Sequence, residues 1–170
     1  DAFNGIRSKI DVTDSTFKNV LSDAIDVDFG NIEIREVIFE DIGNDAIDVS
    51  GTTAAVDSVT IRRIGDKAIS VGEQSSLLGK NIHISDVNIG VASKDGSTAN
   101  FEGLRIERAD IGYAVFQKKP EHGPGLIESR GAEHEGVGEL AVVEVGSSLL
   151  LNGMVYEGTL KDIRERLYEE

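Results

Sequence analysis

Short stretches in which hydrophobic and polar residues alternate recur along the chain at one spacing. The sequence DAIDV at residues 23–27 returns at 45–49 and, as KAISV, at 67–71, so each copy lies 22 residues after the previous one. Residues 90–93 (GVAS) and 112–115 (GYAV) continue in the same phase. Such a fixed spacing is typical of a repeat architecture, in which each unit packs on its neighbours.

A second alternating motif runs in parallel with the first. It consists of short stretches with Val, Leu or Ile on either side of a polar residue: 10–12, 32–34, 59–61, 82–84 and 104–106. Alternation with period two predicts strands, and the Gly, Asn, Asp and Ser residues between the stretches predict turns. No unit contains a ten-residue helical pattern. The chain is therefore predicted to be all-β, a single-stranded parallel β-helix of about six to seven coils.

Stacking of the coils, at the ~4.8 Å spacing of neighbouring strands, places equivalent residues in ladders along the axis. Alternation predicts three inward ladders, formed by Ile25, Ile47, Ile69, Val91 and Tyr113, by Val27, Val49, Val71, Ser93 and Val115, and by Phe17, Phe39 and Ile61. The outward positions between the first two ladders are Asp26, Asp48, Ser70, Ala92 and Ala114. Two residues further along each strand, the outward positions are Asp28, Ser50, Gly72, Lys94 and Phe116. These outward positions form the wall on which we place the candidate chemistry.

The repeat weakens after Lys118. Both prolines lie in residues 119–125, which predict a loop that leaves the stack. Residues 139–145 and 149–151 predict one more coil, which is atypical. We accordingly assign the β-helix to residues 1–158.

A capping helix is predicted at residues 159–170. Thr159 is placed as its N-cap and Asp162 as the capping-box residue. Its apolar side chains fall on one face: Leu160, Ile163 and Leu167. We expect this helix to cover the open C-terminal end of the solenoid, because an uncovered strand edge can pair with other chains.

No cap is predicted for the N-terminal end. Asp1 begins in the middle of a coil. We therefore expect either a missing N-terminal segment or self-association at this open edge.

Composition narrows the possible functions. The 170 residues include 17 Lys and Arg against 31 Asp and Glu, a net charge of −14, and no Cys. The lack of Cys excludes disulfides, thiol catalysis and Cys-ligated zinc. The negative charge argues against a nucleic-acid partner, which requires dense Lys and Arg. No apolar run approaches the ~20 residues of a membrane span.

Three segments carry a resemblance to a known family. Residues 45–51 (DAIDVSG), 65–73 (GDKAISVGE) and 90–97 (GVASKDGS) resemble right-handed parallel β-helix modules of the pectin-lyase-like superfamily. More narrowly, they are similar to β-helix regions beside CotH-type, spore-coat-kinase-like domains of bacterial surface proteins. The resemblance covers roughly residues 10–125 and implies a right-handed coil and a secreted or cell-surface bacterial protein. It does not select an activity, because that superfamily includes lyases, hydrolases, epimerases and adhesive rods.

The outward carboxylates are the first candidate for chemistry. Asp26 and Asp48 are expected one coil apart, with Asp28 two residues along the same face. Like charges this close raise one another's pKa or recruit a cation, and Ca²⁺ suits several carboxylate oxygens. The resemblance adds that lyases of this superfamily bind Ca²⁺ on such a wall and use it to bridge to uronate groups. A solvated acidic ladder without metal is the alternative.

Polygalacturonase-like hydrolases offer a second comparison implied by the resemblance. Asp23 and Asp45 match two of the acids of that pattern, but Asn44 stands where the proton-donating acid belongs, and Lys67 replaces a His. An amide cannot protonate a leaving oxygen, so we do not expect this mechanism. Asp45 and Lys67 are instead interpreted as a cross-coil ion pair, which contributes little if it is exposed.

A lyase would need a base for the C5 proton and a cation for the carboxylate. Lys94 is a candidate for this role, with Glu73 one coil earlier. His122 is a candidate general base if its loop folds over the wall. The alternative is that Lys94 pairs with Glu73 and fixes the register of the coils.

Two classes of function stay open. The first is recognition or degradation of a polysaccharide by the wall that carries Asp26, Asp28, Asp48, Glu73 and Lys94. The second is a structural or adhesive rod without chemistry, whose ends mediate assembly. The resemblance favours the first class, whereas the missing catalytic acid and the scarcity of aromatic residues favour the second. Polysaccharide recognition is our leading hypothesis, and a calcium-dependent uronate lyase is a further alternative.

Overall fold

The computed structural model describes residues 1–161 and 163–168. The chain forms a parallel β-solenoid of about seven turns with one short C-terminal helix, which confirms the predicted fold class. Asp162, the predicted capping-box residue, lies outside the described residues. Within those residues, no helix is long and apolar enough to cross a membrane.

Fifteen strands and one helix make up the described elements. In chain order they are β1 (Phe3–Ile6), β2 (Lys9–Thr13), β3 (Thr16–Val20), β4 (Ile25–Asp28), β5 (Asn31–Arg35), β6 (Ile38–Ile42), β7 (Ile47–Ser50), β8 (Thr53–Gly72), β9 (Ser76–Lys94), β10 (Thr98–Phe116), β11 (Leu126–Arg130), β12 (Glu133–Glu135), β13 (Glu139–Val143), β14 (Ser148–Leu151), β15 (Met154–Glu157) and α1 (Ile163–Tyr168). A 3₁₀ turn covers Pro120–His122 in the loop after β10.

Each coil contributes to three walls. The front wall contains β1, β4, β7, the last parts of β8, β9 and β10, and β13. The second wall contains β2, β5, the first parts of β8, β9 and β10, then β11 and β14. The third wall contains β3, β6, the middle parts of the same long strands, and β12.

The predicted ladders are in register. On the front wall Ile25 pairs with Ile47 and Ile47 with Ile69, and the ladder continues through Val91 to Tyr113. All five side chains are buried. Because burying one Val or Ile side chain contributes ~1.5–3 kcal/mol, each coil is held to the next mainly by this aliphatic core.

The corners between walls use left-handed residues, most of which are not glycine. At the corner after the front wall, φ is 50° at Arg7, 55° at Phe29, 59° at Gly51, 54° at Glu73 and 58° at Asp95. The left-handed region costs a non-glycine residue roughly 1 kcal/mol or more. The stacked backbone ladders on either side of each corner therefore impose the conformation.

The C-terminal segment closes the rod differently from our expectation. Strand β15 pairs antiparallel with β14 and takes the free edge of the last coil. Thr159 and Leu160, which were predicted at the start of the helix, lie before α1, and Leu160 pairs with Glu144 at the edge of the front wall. The helix lies against the outside of the front wall, where Ile163 packs with Ala92, Ala114, Phe116 and Val142. The helix therefore covers outward positions of the later coils, and the residues at the covered positions Ala92, Ala114 and Val142 are apolar.

Candidate functional site

The front wall is acidic at the outward positions of the first coils. Asp26 stands directly opposite Asp48 in the ladder, and Asp28 lies two residues further along β4. The Asn4 side-chain amide donates a hydrogen bond to Asp26 Oδ2 over 2.8 Å. Asp48 Oδ1 is shielded from solvent and has no hydrogen-bond partner among the described residues. The structure therefore brings the three outward carboxylates of the sequence analysis onto one surface.

Stacking perturbs the ionisation of Asp26. Burial raises the pKa of its carboxyl above the usual value, and the charges of Asp28 and Asp48 raise it further, whereas the hydrogen bond from Asn4 opposes the shift. Within the described part of the chain, none of these three carboxylates forms a salt bridge. The front wall therefore holds negative charge that the fold itself does not neutralise.

A second acidic group lies at the edge of the same wall. Asp1, Asp23 and Asp26 bring carboxylate oxygens within 4.8 Å of one another. Among the residues described, no other three acidic or His side chains are this close, so the predicted ligands Asp28 and Asp48 lie outside the group. Since Ca²⁺ takes six to eight oxygen ligands, it would need water or a bound ligand to complete its coordination here.

Asp23 and Asp45 bind backbone amides of the following coil. Asp23 Oδ1 accepts a hydrogen bond from the Asp45 amide, and Asp45 Oδ1 accepts one from the Lys67 amide, each over 2.9 Å. The Lys67 ammonium lies 3.5 Å from Asp45 Oδ1 and also hydrogen-bonds Asp66. Burial raises the pKa of Asp45 to about 7, although the Lys67 charge opposes the shift. The cross-coil pair is buried, and it is therefore not a weak surface pair.

The three candidate catalytic residues have separate partners. Lys94 is buried, and its ammonium donates a hydrogen bond to Ser70 Oγ over 2.9 Å. Glu73 forms its salt bridge with Lys119, so the expected pairing of Lys94 with Glu73 is wrong. His122 lies in the 3₁₀ turn and makes no side-chain hydrogen bond within the described part of the chain. No acid–base pair therefore forms among them.

Tyr168, at the end of the helix, contacts a group of lysines on the front wall. Its ring centroid lies 5.3 Å from Lys67 Nζ and 4.7 Å from Lys118 Nζ, and the Phe116 ring is 6.1 Å away. Burial, together with the charges of Lys94 and Lys67, lowers the pKa of Lys118. Sequence reasoning missed this contact, because periodicity within a helix does not show where the helix docks.

The third wall neutralises its charges, in contrast to the front wall. Glu40 pairs with Lys18 at 3.1 Å and with Arg62 at 2.5 Å, each one coil away. Arg63 pairs with Asp41 at 2.6 Å. Hydrogen bonds from Arg62 and Lys18 lower the pKa of Glu40 to about 2. Glu40 and Asp41 of the third wall thus have cationic partners, whereas Asp26, Asp28 and Asp48 of the front wall form no salt bridge among the described residues.

An aromatic side chain is exposed beside the acidic part of the front wall. Phe29 directly follows β4, and 57% of its surface is accessible. The sequence pattern assigns this position to a turn, and nothing in the alternation distinguishes it from other turn residues. Sequence reasoning therefore missed it, and the expected scarcity of exposed aromatic residues does not hold at this corner.

Comparison with known proteins agrees with the observed architecture. A family model described as the right handed beta helix region matches residues 3–124. No curated protein and no solved structure matches. The matched residues cover most of the chain and include all three outward carboxylates of the front wall. The chain therefore belongs to the right-handed β-helix family.

Proposed function

We propose that the front wall of the first three coils recognises a polysaccharide. The supporting observation is the contrast between two walls of one rod: acids on the third wall pair with Lys and Arg, whereas Asp26, Asp28 and Asp48 stack without cationic partners among the described residues. Like charges directly opposite each other in a sheet destabilise it by roughly 0.2–1 kcal/mol. Such an arrangement lowers the stability of the wall, and recognition of a ligand would account for it.

A row of carboxylates suits a polyhydroxylated chain. Each ionised carboxylate accepts hydrogen bonds at both oxygens, and hydrogen bonds to charged acceptors are stronger than neutral ones. Because the ladder repeats at ~4.8 Å along the axis, successive carboxylates can meet hydroxyl groups along one glycan. The wall therefore offers a linear array of acceptors to an extended ligand.

Catalysis is not part of this proposal. Lys94 is buried against Ser70, and Glu73 is held by Lys119. A general base must reach the substrate proton directly or through one water molecule. A calcium-dependent uronate lyase stays an alternative. It is tested by incubating the protein with polyuronate and Ca²⁺ and measuring the ultraviolet absorbance of the unsaturated product.

The test compares glycan binding by the wild type and by the double variant Asp26→Asn/Asp48→Asn. Calorimetric titration with soluble oligosaccharides should show at least about tenfold weaker binding by the variant, since two charged acceptors are lost. The melting temperature should stay equal or rise, because a repulsive pair is removed. Asp11→Asn is the matched control, because Asp11 is an exposed acid in a strand of the second wall.

Two outcomes would contradict the proposal. One is equal affinity of the wild type and the double variant for every glycan bound. The other is a loss of affinity of the same size in Asp11→Asn, which would indicate a nonspecific effect of net charge. Repeating the titration with EDTA and with Ca²⁺ separates direct recognition from recognition through a cation.

Assembly as a structural or adhesive rod is a second candidate, favoured by the edge of the first coil. In the described part of the chain, β1, β2 and β3 each pair on one side only. Ile6 in β1 is exposed. Such an edge can pair with a second copy of the chain or with a segment that precedes residue 1. A monomer mass that does not change with concentration in light scattering would contradict this candidate.

We also propose a secreted or cell-surface location, from the sequence resemblance alone. The same resemblance supports a relation to the pectin-lyase-like superfamily and to β-helix regions of CotH-type bacterial surface proteins. Detection of the native protein in the culture medium or on intact cells tests the location. Recovery from the cytoplasm alone would contradict it.

A further inference from the structure

Phe29 occupies an unusual place for an aromatic residue. It forms the corner between the front and second walls in the second coil, where its φ is 55°. The equivalent corners of neighbouring coils hold Arg7, Gly51, Glu73 and Asp95. A bulky side chain is disfavoured in the left-handed region, and a ring that is 57% exposed gains little from burial. Packing on the fold therefore accounts for less than half of the ring surface.

The Phe29 ring rests on the backbone of the next coil. A Cβ atom built on Gly51 would lie 2.6 Å from Phe29 Cδ1 and 2.9 Å from Phe29 Cε1. The ring can therefore take this position only because residue 51 has no side chain. One part of the ring is supported from below, and the remainder is open to solvent.

This apolar surface adjoins the unpaired carboxylates. Phe29 directly follows Asp28, and Asp26 lies two residues before Asp28 on the same strand. Asp48, which stands opposite Asp26, is on the strand that immediately precedes Gly51. A flat aromatic surface and a row of hydrogen-bond acceptors therefore lie along the same edge of the second and third coils.

We infer that Phe29 is the stacking platform of a saccharide site, in which Asp26, Asp28 and Asp48 accept hydrogen bonds from the stacked sugar. This inference rests on the proposed function and deepens it by naming how the ligand is held. The C–H face of a pyranose ring is apolar and packs on an aromatic ring, while its hydroxyl groups point outward toward acceptors beside that ring. Small-molecule sites commonly combine an aromatic or apolar surface with a few polar groups that fix the orientation of the ligand.

The charge of the wall selects the class of sugar. The charged residues around the platform are the acids Asp26, Asp28 and Asp48 on the wall and Arg7 at the equivalent corner one coil earlier. The three carboxylates outnumber the one cation, so their combined field disfavours a uronate and favours a protonated amine, whereas a neutral sugar is unaffected. The ligand is therefore a neutral or amino-bearing glycan, and polyuronate is disfavoured unless a cation is supplied.

The experiment titrates three classes of oligosaccharide into the protein in the presence of EDTA: neutral glucans, amino-bearing chitosan oligomers and oligogalacturonates. The wild type should bind a neutral or amino-bearing class and should not bind oligogalacturonate. Phe29→Ala should weaken this binding about three- to tenfold, the range expected for one aromatic stacking contact, and Phe29→Tyr should retain it. Leu21→Ala is the matched control, because Leu21 is also an exposed apolar side chain, at a different corner.

Phe29→Gly distinguishes a binding role from a structural one. Glycine relieves the left-handed backbone, so the melting temperature should stay equal or rise while binding is weakened as in Phe29→Ala. A clear drop in melting temperature would assign the ring to the fold and overturn the inference. Equal affinity of Phe29→Ala and the wild type would also overturn the inference that Phe29 is a stacking platform. In that case the proposed function would still stand if Asp26→Asn/Asp48→Asn weakens binding. Preference for oligogalacturonate would overturn the ligand class, and no binding in any class would overturn both proposals.

Discussion

Two glycines, Gly79 and Gly72, leave room for a large side chain of the adjacent coil. Gly79 is buried on the second wall, and a Cβ atom there would overlap the ring of Phe101 in the next coil and lie 2.8 Å from Ile82 Cδ1. Gly72 has the same relation to Lys94, whose Cε lies 2.8 Å from the position of an added Cβ. Each glycine therefore accommodates one large side chain from the adjacent coil.

Gly79→Ala should lower the free energy of unfolding by roughly 1–3 kcal/mol, the cost of inserting a methyl group into a packed core. Urea unfolding followed by circular dichroism measures the change. The control is the same substitution in a Phe101→Leu background, where the ring that meets the methyl group is absent. The steric explanation fails if the alanine costs the same in both backgrounds.

At the scale of the elements, the two charged walls respond to pH in opposite directions. On the third wall, cations lower the pKa of Glu40 to about 2, so its folded form binds a proton less readily than the unfolded chain. On the front wall, burial and stacked carboxylates raise the pKa of Asp26. Ionised carboxylates therefore stabilise the third wall, where they have cationic partners, and destabilise the front wall, where they repel one another.

Glu40→Gln should flatten the acid limb of the stability curve. An unfolded Glu titrates near ~4.3, so the stabilisation from Glu40 is complete above that pH and is lost as the pH falls from ~4.3 toward 2. Melting temperatures measured from pH 2 to pH 7 should show a wild-type advantage at pH 7 that disappears at pH 2. Parallel curves for wild type and variant would contradict this account of the ladder.

At the scale of the whole molecule, the coils are not equally supported. Strands β8, β9 and β10 form the long central coils, and each pairs with neighbours on both sides. Within the described residues, β1, β2 and β3 have a neighbour on one side only, and α1 is a short helix packed on the front wall. In a solenoid, stability is approximately a sum over coils and their interfaces.

Native-state hydrogen exchange should reveal this difference as a gradient of protection. Paired amides of β9 should exchange at least about tenfold more slowly than those of β2, and amides of α1 should also be weakly protected, because short and one-sided elements open at low free energy. Mass spectrometry of peptides from each coil measures the rates. Uniform protection from β2 to β9 would indicate that the rod opens only as one cooperative unit.

The sequence by itself determined the coil, its repeat and its register. Alternation with period two and the 22-residue spacing are encoded in each repeat, so the ladder of Ile25, Ile47 and Ile69 and the opposition of Asp26 to Asp48 were both predictable. Corners were predictable as turns, although most left-handed positions hold residues other than glycine. Local patterns suffice for these features because every coil meets the same neighbours, one repeat before and one repeat after.

Only the tertiary structure decided what each outward side chain meets. It buries Lys94 against Ser70, exposes Phe29 on Gly51, and docks the helix on the front wall rather than on the end of the rod. None of these contacts is encoded in the repeat, because each depends on a departure from it. Lys94 stands where other coils have Asp, Ser, Gly or Phe, Phe29 is an aromatic residue at a corner, and the helix belongs to a segment that leaves the stack. The fold follows from what the coils share, whereas the candidate site follows from where they differ.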